Sequence, residues 1–253
     1  MTKSNESILV KEVKKVTIPV KIEGLTTLLS HNWGKVQVWQ MWAKQQFGEK
    51  CNLLKNRLPR CKYLEFAESL HWVSEIPEVL NYNLPSDEND EDNLLEKYVT
   101  FVKQINKNPE IIMDEIKKGV FGLKACAVKG ALVDACRNFH ELNMTQMRQA
   151  VSVEGTENKE YIVLRDGEGN PAIPYLHESI VVLNKKAPDF RYRGAFDEWY
   201  FDVKIHHVDT ISSSTVLSLL QAGGMCGLGD GRPSSPKSNT SNNGIFTILR
   251  GDK

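Results

Sequence analysis

The order of sequence patterns predicts an α+β fold with a mainly antiparallel sheet. Period-two alternation of apolar residues marks strands near both ends of the chain, at residues 16–23 and 199–208. Helix-like spacing fills much of the region between them, and turn-rich segments separate the later strands. Strands and helices therefore do not alternate regularly, as they would in a doubly wound parallel sheet.

The first strand is predicted at residues 16–23, because every second residue from Val16 to Ile22 is apolar. Pro19 lies inside this pattern and has no N–H to donate to a neighbouring strand. The strand is therefore expected at a sheet edge or at a bulge.

Helices are predicted in the next part of the chain. Residues 36–47 and 94–118 show helical spacing, whereas residues 49–84 are mixed and their structure is left open. The clearest helix is predicted at residues 124–142, where apolar side chains recur at three- and four-residue steps.

The last part of the chain returns to strands. Two are predicted at residues 161–164 and 180–183, on either side of the turn-rich segment 166–171. The strongest pattern, residues 199–208, separates an apolar face from a polar one.

A short helix and a final strand complete the predicted order. Hydroxyl side chains at residues 212–214 can cap the helix, and Gly223 and Gly224 are expected to stop it. The last strand is predicted at residues 245–249.

Composition and charge describe a balanced globular chain. The 253 residues include 32 basic and 32 acidic side chains. No apolar run approaches the roughly 20 residues of a membrane helix, and the polar N-terminus lacks a signal-peptide core. We therefore expect one cytoplasmic domain with insertions.

The cysteines give no sign of a disulfide framework or a zinc site. There are five, at positions 51, 61, 126, 136 and 226, with no C-x-x-C pair. We expect them to be buried thiols.

Two polar segments interrupt the pattern. Residues 87–92 carry five carboxylates in six positions and are expected to form a solvated loop. A calcium loop is the alternative, but the run lacks its glycine and its distant glutamate. Residues 233–243 have no large apolar side chain and are expected to form a flexible excursion.

A glycine-rich segment is the most informative local feature. Residues 223–231 hold five of the seventeen glycines, which would allow backbone N–H groups to turn outward towards an anion such as phosphate. Arg232 could add a charge-assisted contact. The segment matches neither a Walker loop nor a dinucleotide fingerprint, and a tight helix-to-strand connection is the alternative.

Four short stretches, residues 24–31, 127–136, 188–193 and 222–233, occur in an order that resembles an uncharacterised family of bacteriophage proteins. More broadly, the order of parts resembles the repeat-associated RNA-binding superfamily, whose members form the backbone of CRISPR effector complexes. The resemblance implies a single ferredoxin-like or RRM-like domain with a helical insertion around 35–118, a glycine-rich loop and a final strand. Thr27 departs from the proline that is usual in the phage type.

A basic and aromatic segment suits single-stranded nucleic acid. Residues 185–196 hold four basic groups and one acid, interleaved with aromatic side chains. Cations neutralise phosphates, and an exposed ring stacks on a base whatever its identity. Strand alternation is expected to put Arg191 and Arg193 on one face and Phe190 and Tyr192 on the other, so that only part of the set shares a surface. An ordinary strand edge is the alternative.

The basic face of the 124–142 helix is a second candidate surface, since the superfamily relatives use such a helix to support the nucleic-acid backbone. A solvated helix face is the alternative. The complete predicted nucleic-acid-binding set is Lys124, Lys129, Arg137, Lys185, Lys186, Arg191, Tyr192, Arg193, Gly227, Gly229, Gly231, Arg232 and Lys237.

Catalysis has fewer candidates. His31, His206 and His207 could serve as acid and base in RNA cleavage, because imidazole titrates near neutral pH and some superfamily relatives are metal-independent ribonucleases. His206 and His207 are adjacent in a strand and would point to opposite faces, and structural roles are preferred for all three. Asp230 could bind a metal or activate a 2′-hydroxyl. We predict no catalytic residue, metal or cofactor, and keep His31 and Asp230 as further candidates.

The sequence is interpreted as a non-enzymatic phage protein that binds single-stranded DNA or RNA in the host cytoplasm. It would coat, anneal or protect a strand, acting as a homo-oligomer. The alternatives are an interaction protein that acts on a protein partner such as a host defence complex, and a metal-independent ribonuclease.

Overall fold

The computed structural model describes residues 12–48, 58–84, 91–139, 143–182, 188–235 and 241–249. Several sequence predictions fall outside these residues: Cys51, Lys185, Lys186, Lys237, positions 87–90 of the acidic segment and positions 236–240 of the polar excursion.

Within these residues the protein is α+β, with seven α-helices and three antiparallel sheets. The helices are α1 (Lys35–Phe47), α2 (Lys62–Ser69), α3 (Glu91–Lys107), α4 (Glu110–Lys118), α5 (Ala125–Ala135), α6 (Met144–Ala150) and α7 (Ser213–Cys226). The strands are β1 (Lys15–Gly24), β2 (Leu28–Ser30), β3 (Gly122–Lys124), β4 (Val151–Gly155), β5 (Tyr161–Val163), β6 (Tyr175–Val182), β7 (Pro188–Phe196), β8 (Tyr200–Val208) and β9 (Phe246–Leu249).

The largest sheet has the strand order β4-β8-β1-β9. Its two central strands follow the predicted alternation, and Phe201, Val203 and Ile205 of β8 are fully buried. Pro19 pairs in register with Lys204 of β8. On its other side β1 pairs with β9, but the described part of β9 pairs only with residues 21–24 of β1. Among the described residues, Pro19 therefore lies at a local sheet edge, which suits its missing N–H.

Helices α5 and α7 pack against each other and against this sheet. Helix α7 begins where predicted, since the Ser212 hydroxyl accepts a hydrogen bond from the Thr215 N–H. The predicted stop at Gly223 and Gly224 is wrong, because the helix continues to Cys226. A Cβ on Gly224 would overlap the carbonyl oxygen of Phe246, so this glycine serves close packing rather than termination.

Helix α5 is shorter than predicted. It ends at Ala135 and is followed by a 3₁₀ turn, Cys136–Asn138. Phe139, expected on the apolar stripe, has extended backbone and an exposed ring. Positions 140–142 lie outside the described residues.

The second sheet, β2-β7-β6, forms the framework of the candidate site. Strand β2 pairs only with residues 194–196 of β7, whereas β6 pairs with β7 along almost its whole length. The β6–β7 hairpin therefore extends beyond β2. Helix α2 packs on β7, where Gly194 makes room for the side chain of Leu70.

The four described cysteines are free thiols. Cys61 and Cys136 are buried and Cys226 is partly buried, whereas Cys126 is exposed because it lies on the outer side of α5. The expectation of a buried thiol is therefore wrong for Cys126.

None of the helices in the described part of the chain combines the length and the apolar character needed to cross a membrane.

Candidate functional site

A cleft of about 760 Å³ lies between α1, α2 and the part of β7 that extends beyond β2. The lining from α2 is called the floor of the cleft, and the linings from β7 and α1 are called its two walls. Its polar lining includes His31, Gln37, Glu65, Glu68, Arg191 and Arg193.

Ser69, at the end of α2, connects the three elements that form the cleft. Its carbonyl oxygen accepts hydrogen bonds from the Ser30 hydroxyl, at 2.8 Å, and from the Asn32 N–H, at 2.9 Å. Its own hydroxyl accepts a hydrogen bond from the Gly194 N–H at 2.7 Å. Because Ser69 is buried, these contacts hold the β2–α1 connection and β7 at a defined distance from α2.

The β7 wall carries two arginines whose charges are only partly compensated. Arg193 Nε lies 2.8 Å from Asp230 Oδ2, and Arg191 Nη2 lies 3.4 Å from Asp189 Oδ2. Arg193 also donates a 3.3 Å hydrogen bond to Ser179 on β6. The Arg191–Asp189 pair is long and partly exposed, and ion pairs of that kind are weak, so an incoming phosphate can compete with Asp189 for Arg191. The Arg193 side chain is only 13% exposed and is held more closely by Asp230.

Only part of the basic and aromatic segment lines the cleft, as strand alternation led us to expect. Arg191, Tyr192 and Arg193 are in the lining. Phe190 does not line the cleft, but its ring stacks on Tyr192 at 6.3 Å with an interplanar angle of 5°.

Two aromatic rings, those of Trp33 and Tyr192, belong to residues of the cleft lining. Trp33 is 59% exposed, and its ring centroid lies 6.0 Å from that of His31. The guanidinium of Arg60 lies 5.5 Å from the centre of the Tyr192 ring. Exposed rings beside cations provide stacking surfaces for flat ligands.

The floor and the α1 wall provide hydrogen-bond acceptors. Glu68 accepts hydrogen bonds from the Tyr82 hydroxyl, at 2.5 Å, and from the Lys35 N–H, at 3.1 Å, and burial raises the pKa of its carboxyl group. Glu65 accepts two hydrogen bonds from Arg60, at 2.7 and 2.6 Å. The buried Oε1 of Gln37 accepts no hydrogen bond from any described residue.

Two neighbouring histidines are held neutral at pH 7. Burial lowers the pKa of His31; Asp230 opposes this effect, and Arg193 and Arg191 add to it. Burial, with smaller contributions from Lys124 and His31, lowers the pKa of His71 to about 4. A general acid must be protonated at the working pH, and the lowered pKa of each imidazole makes both histidines poor acids near pH 7.

The glycine-rich loop does not direct its N–H groups outward as predicted. The N–H groups of Gly227, Leu228, Asp230 and Gly231 donate hydrogen bonds to acceptors within the chain, at 2.9 to 3.2 Å. Gly227, Gly229 and Gly231 have φ values of 74°, 70° and 65°, which non-glycine residues rarely adopt. The loop bonds to the β2 backbone at Leu29 and so positions Asp230 beside Arg193.

Arg232 has partners within the same loop. It donates hydrogen bonds to the Gly229 carbonyl oxygen, at 3.0 Å, and to the Ser234 hydroxyl, at 3.2 Å. Its role as a phosphate contact stays a prediction.

The basic residues of the α5 region lie outside the cleft lining. Lys124, at the end of β3, lies close enough to His71 to lower its pKa. Lys129 lines a separate depression of about 330 Å³, and Arg137 lies 3.6 Å from Asp134. The described residues of the predicted binding set therefore do not share one surface: three line the cleft, Lys129 lines the depression, and the others line neither.

His206 and His207 have structural partners. The Nδ1 atom of His206 lies 2.8 Å from the Thr17 hydroxyl, and its Nε2 lies 3.4 Å from Glu154. The Nε2 atom of His207 lies 3.0 Å from the Ser213 hydroxyl. Neither residue lines the cleft, which agrees with the structural role preferred from the sequence.

Sequence reasoning missed most residues of the site region, among them Trp33, Arg60, Glu65, Glu68, Ser69 and His71. Trp33 follows His31 by two positions and could have been found by extending the motif at residues 24–31. Arg60 and His71 come from the segment whose pattern was mixed, and nothing local to them indicates a site.

Comparison with known proteins finds a distant structural likeness. No protein-family model matches the chain, and no curated protein matches it. A solved structure, the crystal structure of Cmr6 from Pyrococcus furiosus, aligns with 94% of this chain and 100% of its own, at 12% sequence identity and a TM-score of 0.31. At that TM-score we base neither the fold nor the function on the resemblance.

Proposed function

We propose that the protein binds single-stranded nucleic acid, without catalysing a reaction, along the cleft and the adjoining β6–β7 hairpin. The observation that carries the proposal is the convergence of Arg191 and Arg193 with the exposed ring of Trp33 on one surface. Cations neutralise phosphates, and an exposed ring stacks only on a base that is not already paired and stacked in a duplex. Coating, annealing or protecting a strand requires this sequence-tolerant kind of contact.

The hairpin extends this surface. Phe190 is 51% exposed and continues the aromatic stack that begins at Tyr192. Arg60 lies beside Tyr192 and adds a cation to the same surface. A strand that follows β7 would therefore meet alternating cationic and aromatic groups, which suits several consecutive nucleotides.

The proposed core is ferredoxin-like. Its support is the strand order β4-β8-β1-β9, in which α5 lies between β1 and β4 in the chain and α7 between β8 and β9. This is a βαββαβ arrangement in which both helices pack on the sheet. The remaining helices and the β2-β7-β6 sheet are then additions that build the cleft.

Self-association is part of the proposal. The outer edge of β6, eight residues long, has no strand partner among the described residues. An unpaired edge of that length is a template for strand addition. Assembly of copies along a strand would use this edge or the exposed apolar side chains of α1.

A protein partner is the second candidate function. Val38 and Met41 lie on one side of α1, and each is nearly half exposed. Exposed apolar side chains at helical spacing are common in protein interfaces. This alternative requires no affinity for oligonucleotides.

The test is the binding of a labelled 30-nucleotide strand, as DNA and as RNA, at low and moderate salt. We expect Arg191→Gln/Arg193→Gln to weaken binding about tenfold and to reduce the slope of log affinity against log salt by about two. Lys117→Ala/Lys118→Ala removes two exposed charges from α4 and is the matched control. Light scattering follows assembly, and gels follow cleavage.

Salt-dependent binding that is weakened only in the arginine variant supports the proposal, and the two affinities rank DNA against RNA. If neither strand binds at low salt, the protein-partner alternative replaces it. Cleavage of the RNA would overturn the non-enzymatic assignment.

A further inference from the structure

The cations that line the cleft differ in how far their charges are compensated. Among the described residues, four lysine and arginine side chains belong to the lining: Lys44, Arg60, Arg191 and Arg193. Each of the three arginines has a carboxylate oxygen no more than 3.4 Å away. The Lys44 side chain has no ion-pair or hydrogen-bond partner in the described part of the chain. An anion can therefore bind at Lys44 without displacing a carboxylate.

Lys44 reaches the cleft from one face of α1. The lining residues of this helix include four at three- and four-residue steps: Gln37, Gln40, Met41 and Lys44. That spacing places them on a single helix face. Lys44 is the last of the four and is exposed. Its flexible stem ends in three N–H donors, so the ammonium group can follow a phosphate that enters the cleft.

Arg191 is the arginine of the β7 wall that can exchange its partner most easily. Its Nη2 lies 3.4 Å from Asp189 Oδ2, while Asp189 Oδ1 accepts a 2.6 Å hydrogen bond from Arg60 Nη1. If Arg191 turns to a phosphate, Asp189 keeps its bond to Arg60, so no carboxylate is left unpaired. Arg193, by contrast, lies 2.8 Å from Asp230.

Resting on the proposed function, we infer that Lys44 is a phosphate contact of the bound strand, so that the strand is held by cations of both walls. Lys44 acts from α1 and Arg191 acts from β7. The exposed ring of Trp33 belongs to the same lining and can stack on a base between these contacts. A polyanion with flat bases between its charges complements this surface, as single-stranded nucleic acid does.

A structural role is the alternative for Lys44. It lies in the last turn of α1, where a positive charge interacts favourably with the helix C-terminus. That role affects the stability of the helix but not the salt dependence of binding. Each phosphate contact on a single strand adds about 0.7 to the slope of log affinity against log salt. The slope therefore separates a phosphate contact from a lysine that only stabilises the helix.

The experiment measures the affinity of a labelled 12-nucleotide oligo-dT by fluorescence anisotropy at about 50 mM and about 200 mM salt. Lys44→Gln removes the charge and is expected to weaken binding about fivefold at the lower salt and about twofold at the higher salt. Lys44→Arg keeps the charge and should keep the wild-type affinity and slope. Lys103→Gln removes an exposed lysine from α3, outside the lining, and is the matched control that should also keep both.

Thermal unfolding of the same variants reports on the helix. A Lys44→Gln protein that melts at a lower temperature but keeps the wild-type affinity and slope shows a structural lysine and overturns the inference. An equal loss of affinity in Lys103→Gln also overturns it, because the effect is then one of net charge. Both results leave the proposed function standing. If the wild-type protein does not bind the oligonucleotide at the lower salt, the proposed function itself has failed.

Discussion

Asp230 determines how much of the Arg193 charge is available to a ligand. Its Oδ2 lies 2.8 Å from Arg193 Nε, and its Oδ1 accepts a hydrogen bond from the Gly231 N–H. The carboxylate therefore has a structural bond to the loop and an electrostatic effect on the cleft. An asparagine at this position can keep the hydrogen bond to the loop, but it removes the negative charge beside the cleft.

We expect Asp230→Asn to strengthen oligonucleotide binding about threefold at low salt, because one negative charge leaves the arginine wall. Titration of the labelled 30-nucleotide strand measures the change. Asp114→Asn, which removes an exposed carboxylate from α4, is the control and should leave the affinity nearly unchanged. Weaker binding by Asp230→Asn would contradict the idea that Asp230 competes with phosphate.

The ribonuclease hypothesis gives the same variant a different outcome. If Asp230 activated a 2′-hydroxyl, the wild-type protein would cleave RNA and Asp230→Asn would not. The gel in the same experiment therefore separates a competing carboxylate from a catalytic one.

The sequence pointed to residues of the cleft lining where one segment carried the signal. Arg191, Tyr192 and Arg193 were candidates because basic and aromatic residues alternate within a few positions of β7, and all three line the cleft. Arg60 was not a candidate, because its contacts are with residues that are distant in the chain. Its partner Asp189 lies 129 positions away.

At the scale of the elements, the glycines of α7 show how packing can override local propensity. Gly224 lies in the last turns of a helix, where its flexibility costs stability relative to alanine. A side chain there would overlap the Phe246 carbonyl oxygen of β9. The close approach of α7 to β9 therefore depends on the absence of a Cβ.

We expect Gly224→Ala to destabilise the protein by about 3 kcal/mol, because the helix must move away from β9. Gly130→Ala is the matched substitution on α5, where an added Cβ meets nothing within 4 Å. That change should stabilise the protein by about 0.5–1 kcal/mol through helix propensity alone. Urea unfolding of both variants measures the difference, and equal effects would contradict the packing argument.

Element prediction was most accurate where the pattern was strict. Strands β1 and β8 agree with the predicted ranges to within one residue, because each has one face on the core and side chains alternate with period two. The end of α5 was missed because the apolar spacing continues to Phe139 after the helical backbone has ended. Periodicity reports which positions are apolar but not where hydrogen bonding stops.

For the whole molecule, buried titratable groups determine how stability responds to acid. The pKa of His71 falls from 6.5 to about 4 on folding, so the unfolded chain binds more protons than the folded one between these values. The contribution of His71 to stability is therefore complete above pH 6.5 and is lost progressively as the pH falls towards 4. His31 acts in the same direction, since its pKa is also lowered.

Glu68 opposes these histidines. Its raised pKa means that the folded protein binds more protons than the unfolded chain above the ordinary glutamate value, so its contribution to stability is lost as the pH rises. The change of stability with pH is therefore the sum of opposing contributions. A substitution is needed to isolate the contribution of one histidine.

We expect His71→Gln to have a smaller decrease in melting temperature between pH 7 and pH 4.5 than the wild-type protein, because it removes a group that takes up a proton on unfolding in that range. Thermal unfolding followed by circular dichroism at the two pH values measures both decreases. If the two proteins lose the same number of degrees, His71 is not an acid-sensitive group of the fold.

The sequence alone determined the α+β class, the central strands, the start of α7 and the basic and aromatic segment of β7. These features depend on residues close together in the chain, so periodicity, capping and composition report them directly. Only the tertiary structure decided that α2 forms the floor of a cleft and that Asp230 lies beside Arg193. It also brought Gln37 into the lining of that cleft. These relations join residues that are distant in the chain, and they depend on how the hairpin packs on α2 through Ser69 and Gly194.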